Sequence, residues 1–103
     1  MGYRVLLSDS ADRDMDSILT YIADTLSNPK AAADLADALE ARFGELETHP
    51  LMFEVSRNEG LAQRGYRRFV VGSYVALYLV DGERETVTIA RIFYGKRNYD
   101  KYI

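Results

Sequence analysis

The chain has 103 residues, a formal net charge of −3, 48% hydrophobic residues and 28% charged residues. These values are ordinary for one globular domain, 1–103, with its own core. Cysteine is absent, which excludes disulfides and thiolate metal sites, and no apolar run is long enough to cross a bilayer. The acidic balance argues against general nucleic-acid binding. Together these features predict a cytoplasmic protein without a membrane partner.

The first half of the chain predicts one strand followed by a helix. The run YRVLLS (3–8) is typical of a strand, and Asp9 or Ser10 can cap the helix that follows it. Apolar residues then recur every three or four positions, which indicates one buried helix face. They are Met15, Ile18, Leu19, Ile22 and Leu26.

A second helix is predicted from Asn28-Pro29 to His49-Pro50. Asparagine is a good N-cap and proline suits the first helical position, whereas His-Pro ends the pattern. Its apolar face carries Ala32, Leu35, Ala36, Leu39, Phe43 and Leu46. Because the link between the two helices is short, we expect an antiparallel helical hairpin.

The second half predicts a loop and three strands. Residues 51–65 lack periodicity, and the strands at 66–71, 74–80 and 86–94 are rich in Val, Ile, Tyr and Phe. Gly72-Ser73 fits a two-residue hairpin turn with glycine first. The order β-α-α-β-β-β predicts an α+β domain, with the helices on one face of a mostly antiparallel four-stranded sheet.

The hairpin turn also predicts which side chains share a face. If Val71 opposes Tyr74, one face holds Arg67, Phe69, Val71, Tyr74, Ala76 and Tyr78, and the other holds Tyr66, Arg68, Val70, Val75, Leu77 and Leu79. The second face is the more aliphatic, so we expect the helices to cover it. The first face then stays open for a planar or phosphate-bearing ligand. A four-residue loop before the last strand places Arg91 on the open face, and a five-residue loop places it on the other.

The closing segment RIFYGKRNYDKYI (91–103) gives an acidic chain a basic and aromatic end. With the strings LSDSADRDMDSILTYI, LETHP and GYRRFVVGSYVALYLVD, which precede it in this order, it resembles the RelE/ParE superfamily. These proteins are the toxins of bacterial type II toxin–antitoxin modules, which act in plasmid stabilisation among other roles. The resemblance covers nearly the whole chain and implies the same β-α-α-β-β-β fold.

The resemblance implies two activities. The first is a ribosome-associated, metal-independent endoribonuclease that cuts mRNA and inhibits translation. The alternative is a ParE-like, non-catalytic inhibitor of DNA gyrase. The acidic balance favours this alternative, as does Val75, which stands where RelE-like enzymes carry an arginine. A third possibility is a regulatory member that only binds its antitoxin.

The resemblance implies site roles for Arg67, Arg68, Arg97 and Tyr102, and the other candidates come from the predicted open face, the last strand and the basic, aromatic end of the chain. The catalytic or phosphate-binding candidates are Arg67, Arg68, Arg91, Arg97 and Tyr102, and the candidates for binding RNA or a partner are Tyr74, Tyr78, Tyr94, Lys96, Tyr99 and Lys101. Clustered arginines stabilise the charge of a phosphorane through bidentate contacts. His49 lies at a helix end and is expected to be structural or exposed. No cofactor and no metal site is expected.

The resemblance also implies a cognate antitoxin and a hetero-oligomeric complex with it. We expect an acidic, partly disordered polypeptide that folds on binding. Its carboxylates are expected to reach the basic end of the chain, and its apolar residues to meet the helical hairpin.

Overall fold

The computed structural model describes residues 2–95. In chain order its elements are β1 (Arg4–Leu7), α1 (Asp9–Thr20) followed directly by a π-helical turn (Tyr21–Thr25), α2 (Pro29–Thr48), α3 (Glu59–Gln63), β2 (Arg67–Val71), β3 (Tyr74–Asp81) and β4 (Thr86–Tyr94). The predicted α+β order is confirmed, and α3 is an addition within the predicted loop. Within residues 2–95, no helix is long and apolar enough to span a membrane. The candidates Lys96, Arg97, Tyr99, Lys101 and Tyr102 lie outside the described residues.

The four strands form one sheet in the order β1-β4-β3-β2. β1 runs parallel to β4, whereas β4, β3 and β2 are antiparallel to their neighbours. The predicted hairpin register is confirmed, since Val71 lies opposite Tyr74 and Arg67 opposite Tyr78. Gly72 takes a φ of 58°, the left-handed conformation that a tight hairpin turn requires and that glycine adopts without strain.

The helix starts follow local side-chain chemistry. Asn28 accepts a hydrogen bond from the Ala31 N–H, and Pro29 occupies the first turn of α2, as predicted. The prediction for α1 was wrong by one residue, because the Oγ of Ser8 caps it by accepting from the Ala11 N–H. β1 ends at Leu7, so Ser8 is already free to adopt the extended backbone of an N-cap.

The expectation that the aromatic face of the sheet is open was wrong. Phe69, Ala76 and Tyr78 are buried in one cluster with Leu39 and Leu46 of α2. Four rings (Phe43, Phe53, Phe69 and Tyr78) contact one another at centroid distances of 5.3–6.5 Å. Aromatic rings fill this interface, and the Tyr78 hydroxyl is satisfied by the Pro50 carbonyl at 3.1 Å. Aliphatic content was therefore the wrong criterion for the covered face.

The second face carries a smaller cluster of Leu61, Tyr66, Val75, Leu77 and Phe93. The short helix α3 contributes Leu61 to it. Arg68 lies on this face opposite Leu77 and is itself 7% exposed.

A β-bulge decides where Arg91 lies. The loop before β4 has four residues, because Asp81 pairs with Thr86. Val87 and Ile89 accordingly share the helix-covered face with Tyr78. The register then shifts, so that Ile89 pairs with Tyr78 but Arg91 pairs with Leu77. Because the extra residue reverses the alternation, Arg91 and Phe93 lie on the second face, which neither loop length predicted alone.

Candidate functional site

The described candidate residues separate into two surface regions and one buried position. Arg91, Tyr74 and Tyr94 line a groove beside the end of β4. Arg67 and Arg68 lie on the opposite edge strand of the sheet, β2. Tyr78 is fully buried between them. The sequence candidates therefore do not converge on a single centre within residues 2–95.

The groove exists because β1 is shorter than β4. β1 pairs only with Thr86–Ile89, so within residues 2–95 the outer edge of β4 has no strand neighbour from Ala90 onward. Side chains take over there. The Ser8 Oγ donates to the Ala90 carbonyl at 2.8 Å, and an Asp14 carboxylate oxygen accepts from the Ile92 N–H at 3.0 Å. Helix α1 thus completes the edge of β4 by side-chain hydrogen bonds.

Asp14 also holds Arg91 in a two-point contact. The Arg91 Nε donates to Oδ2 at 2.7 Å, and its Nη2 donates to Oδ1 at 3.1 Å. The two side chains are only 21% and 17% exposed. The guanidinium lies 4.9 Å from the centre of the Phe93 ring as well. Arg91 consequently joins α1 to the sheet, and its fork is directed at a protein carboxylate.

The groove itself, termed the β4 groove, has a volume of about 680 Å³. It is lined by Asp14, Ser17, Ile18, Tyr21, Leu26, Tyr74, Arg91, Ile92, Phe93 and Tyr94. Tyr74 and Tyr94 contact edge to face at a centroid distance of 5.9 Å. Tyr21, Leu26 and Tyr94 are 52%, 55% and 41% exposed, so they bring large apolar surfaces to the rim. An apolar rim beside an outward-facing strand edge suits a polypeptide.

The second region, termed the β2 edge cluster, consists of Glu54, Arg57, Arg67 and Arg68. The segment before α3 runs beside the start of β2, with a bridge between Val55 and Arg67. The Arg68 N–H donates to the Glu54 carbonyl at 3.0 Å, and the Ser56 N–H donates to the Tyr66 carbonyl at 2.8 Å. These bonds place the Glu54 side chain next to Arg68.

One glutamate oxygen serves two arginines in this cluster. Oε1 of Glu54 accepts from the Arg68 Nη1 at 2.8 Å and from the Arg57 Nε at 3.2 Å. The hydrogen bond from Arg68, with the charge of Arg57, holds the pKa of Glu54 below its usual range. The Glu54 side chain is nevertheless 56% exposed. Arg67 is directed elsewhere, donating from Nη1 to the Phe53 carbonyl at 2.7 Å.

Two potential proton donors or acceptors are poorly suited to chemistry. Burial raises the pKa of the Tyr78 hydroxyl, which bonds to the Pro50 carbonyl. His49 is exposed just after α2, and its Nδ1 lies 2.9 Å from the Thr48 hydroxyl. Within residues 2–95, no group of acidic or histidine residues is arranged to hold a metal ion.

Sequence reasoning missed Asp14 and Glu54, the two carboxylates that fix the arginines. Asp14 lies on α1 among several acids, and no spacing rule separates it from them. Its partner is 77 positions away in the chain. Glu54 stands in a stretch without periodicity, where no pattern marks a charged contact. The surplus of arginines in 57–68 was the only available signal.

Comparison with known proteins gives a consistent result. Residues 5–99 match the family model described as the ParE toxin of type II toxin–antitoxin system, parDE. The fold is similar to a chain of the toxin–antitoxin complex RelBE2 from Mycobacterium tuberculosis, with 27% identity, a TM-score of 0.63 and coverage of 91% of this chain and 99% of that chain. It is also similar to a chain of the chromosomal ParDE system from P. aeruginosa.

That second similarity has a TM-score of 0.68 and covers 87% of this chain and 92% of the other. Its 18% identity shows a shared fold alone. A search of curated proteins found no match.

Proposed function

The chain belongs to the ParE toxin family of type II toxin–antitoxin systems, and from this premise we propose that it acts by binding DNA gyrase and not by cleaving RNA. One observation carries the choice between these two activities. Each described arginine that the sequence assigned to phosphate is bonded to a protein oxygen: Arg67 to the Phe53 carbonyl, Arg68 to Glu54 and Arg91 to Asp14.

Those contacts matter because phosphoryl-transfer chemistry needs preorganised donors that aim at an open position. The Arg91 fork is used by Asp14 at two points, and only about a fifth of its side chain is exposed. Val75, which stands where RelE-like enzymes have an arginine, cannot contact a phosphate through a charge, and its side chain is buried beside Phe93. The described surface is thus better suited to holding a protein than to polarising a phosphate.

The antitoxin is proposed to dock in the β4 groove. The similar solved structures come from toxin–antitoxin complexes, which supports an antitoxin as the partner. Tyr21, Leu26 and Tyr94 offer apolar contacts, and the alternation of the β3–β4 ladder turns the backbone of Tyr94 outward beyond the end of β1. An extended segment adding to β4 there would place apolar side chains against the helical hairpin.

The test compares the two activities on the same preparation. We expect the purified full-length chain to inhibit supercoiling by DNA gyrase and to leave mRNA on translating ribosomes intact. Addition of the antitoxin should restore supercoiling. Codon-phased mRNA cuts that disappear in an Arg97→Ala variant, without loss of supercoiling, contradict the proposal.

That outcome would establish the second candidate, an mRNA endoribonuclease. A specific observation favours it: the chain is 27% identical to a chain of the RelBE2 complex over nearly its whole length. The basic and aromatic residues after Gly95, including Arg97 and Tyr102, are its proposed catalytic groups.

A further inference from the structure

The β2 strand forms the edge of the sheet farthest from β1, and among residues 2–95 only the first part of that edge is covered by another segment. The segment before α3 bonds to the backbone of Tyr66 and Arg68 on the outer side. In an antiparallel ladder the backbone groups of every second residue point away from the neighbouring strand. The N–H and C=O of Val70, two residues after Arg68, therefore point outward as those of Arg68 do. The Val70 side chain is 52% exposed. This half of the edge is therefore open to an added strand.

The charge around this edge is opposite to that of the rest of the chain. Residues 54–68 contain four arginines and two glutamates, in a protein with a net charge of −3. The four are Arg57, Arg64, Arg67 and Arg68. A locally positive surface on an acidic protein favours an acidic partner.

Glu54 lies among these arginines, and another carboxylate could take its place. Both arginine contacts use the same oxygen, and more than half of the Glu54 side chain is exposed. Arg68, the main partner of Glu54, stays in place because its side chain is only 9% exposed. Within residues 2–95, the Arg68 Nε has no hydrogen-bond partner. A buried guanidinium with spare donor capacity thus faces a carboxylate that solvent can reach.

We infer that the β2 edge cluster is a binding site for an extended, acidic segment of a protein partner, and that Glu54 is a built-in competitor for it. The segment would add to β2 beside Val70. One of its carboxylates would replace Glu54 between Arg57 and Arg68. This site is separate from the β4 groove and does not require that the partner be DNA gyrase.

The side chains around the cluster favour a polypeptide over RNA. The exposed large hydrophobic residues of this region are Leu51, Met52, Val55 and Val70, all with aliphatic or thioether side chains. Single-stranded nucleic acids are held by aromatic side chains on which bases stack. The exposed aromatic side chains in the described part of the chain, Tyr21 and Tyr94, lie at the other groove.

The experiment uses the full-length chain and three probes: a short capped peptide of alternating glutamate and valine, its counterpart with lysine in place of glutamate, and an oligouridylate of equal length. Backbone amide shifts measured by NMR report the site and the dissociation constant. We expect the acidic peptide alone to shift the amides of Val55, Arg68 and Val70. Stronger shifts by the oligouridylate, or dilution-dependent shifts without any probe, overturn the inference in favour of RNA or of a second copy.

The variants test the competitor role directly. Glu54→Gln is expected to tighten binding of the acidic peptide about fivefold. The peptide then no longer has to break the weak, exposed ion pairs of Glu54 with Arg57 and Arg68. Arg57→Gln, at an exposed side chain, is expected to weaken it by a similar factor. The matched controls are Glu83→Gln and Arg84→Gln, in a loop where Arg84 lies 3.8 Å from Asp81. Unchanged or weaker binding by Glu54→Gln overturns the inference.

Discussion

Two arginine–carboxylate contacts, Arg91 with Asp14 and Arg68 with Glu54, lie toward opposite edges of the sheet and differ in burial and in hydrogen bonding. Asp14 accepts three hydrogen bonds, two from Arg91 and one from the Ile92 backbone, in a setting that is about four-fifths buried. Glu54 accepts two hydrogen bonds on one oxygen and is 56% exposed.

The difference shows what each contact does. Burial weakens solvent screening and makes the loss of one partner costly, whereas an exposed pair is weak and readily exchanged. The Asp14 contact therefore holds α1 against the free end of β4, where β1 has stopped. The Glu54 contact keeps Arg57 and Arg68 in place at a surface that a ligand can reach.

The largest expected effect comes from breaking the buried contact. Asp14→Ala leaves Arg91 without its carboxylate and the Ile92 N–H without its acceptor, which should lower the free energy of unfolding by about 2–3 kcal/mol. Urea denaturation measures this change in the free energy of unfolding, provided that the m-value is the same for the variant and the natural chain. Asp16→Ala, an exposed acid on the same helix, is the control and should stay within about 0.5 kcal/mol. Equal effects for the two variants contradict the structural role of Asp14.

A pair of double-mutant cycles sharpens the comparison. The coupling free energy between Asp14 and Arg91 is expected to be about 1.5–2.5 kcal/mol, because both groups are largely buried and meet at two points. The cycle for Glu54 and Arg57 should give a clearly smaller coupling free energy, because the Glu54 side chain is 56% exposed. Each cycle is measured by urea denaturation of the two single variants and the double variant. Similar couplings would mean that burial does not distinguish the two contacts.

The smallest expected effect is a pH dependence at Glu54. Because its folded-state pKa is lowered, Glu54 contributes stability above the usual glutamate pKa of about 4.3, and this contribution is lost as pH falls through the lower folded value. The stability difference between the natural chain and Glu54→Gln should therefore shrink as the solution is acidified through this range. Thermal unfolding over a pH series measures it, and a difference that grows on acidification contradicts the assignment.

Local chemistry made much of the fold predictable. Asn28 and Pro29 predict the start of α2, because asparagine caps a helix and proline suits its first turn. Gly72 predicts the hairpin turn and therefore the register of β2 against β3. These features depend on neighbouring residues, which the sequence contains. Of the candidate site, the sequence identified Tyr74, Tyr94 and the arginines as surface chemistry of interest, and the structure divides them between two edges of the sheet.

The sequence by itself therefore determined the element order, the hairpin register and membership of the toxin superfamily. Only the tertiary structure decided which sheet face the helices cover. The alternation of side chains along a strand defines two faces but does not say which one is buried. The rings of Phe69 and Tyr78 pack together on the face that α2 covers. The tertiary structure also decided the partner of each arginine. The bulge that reverses Arg91 and the 77-residue separation from Asp14 are consequences of packing between distant segments, which no local pattern encodes.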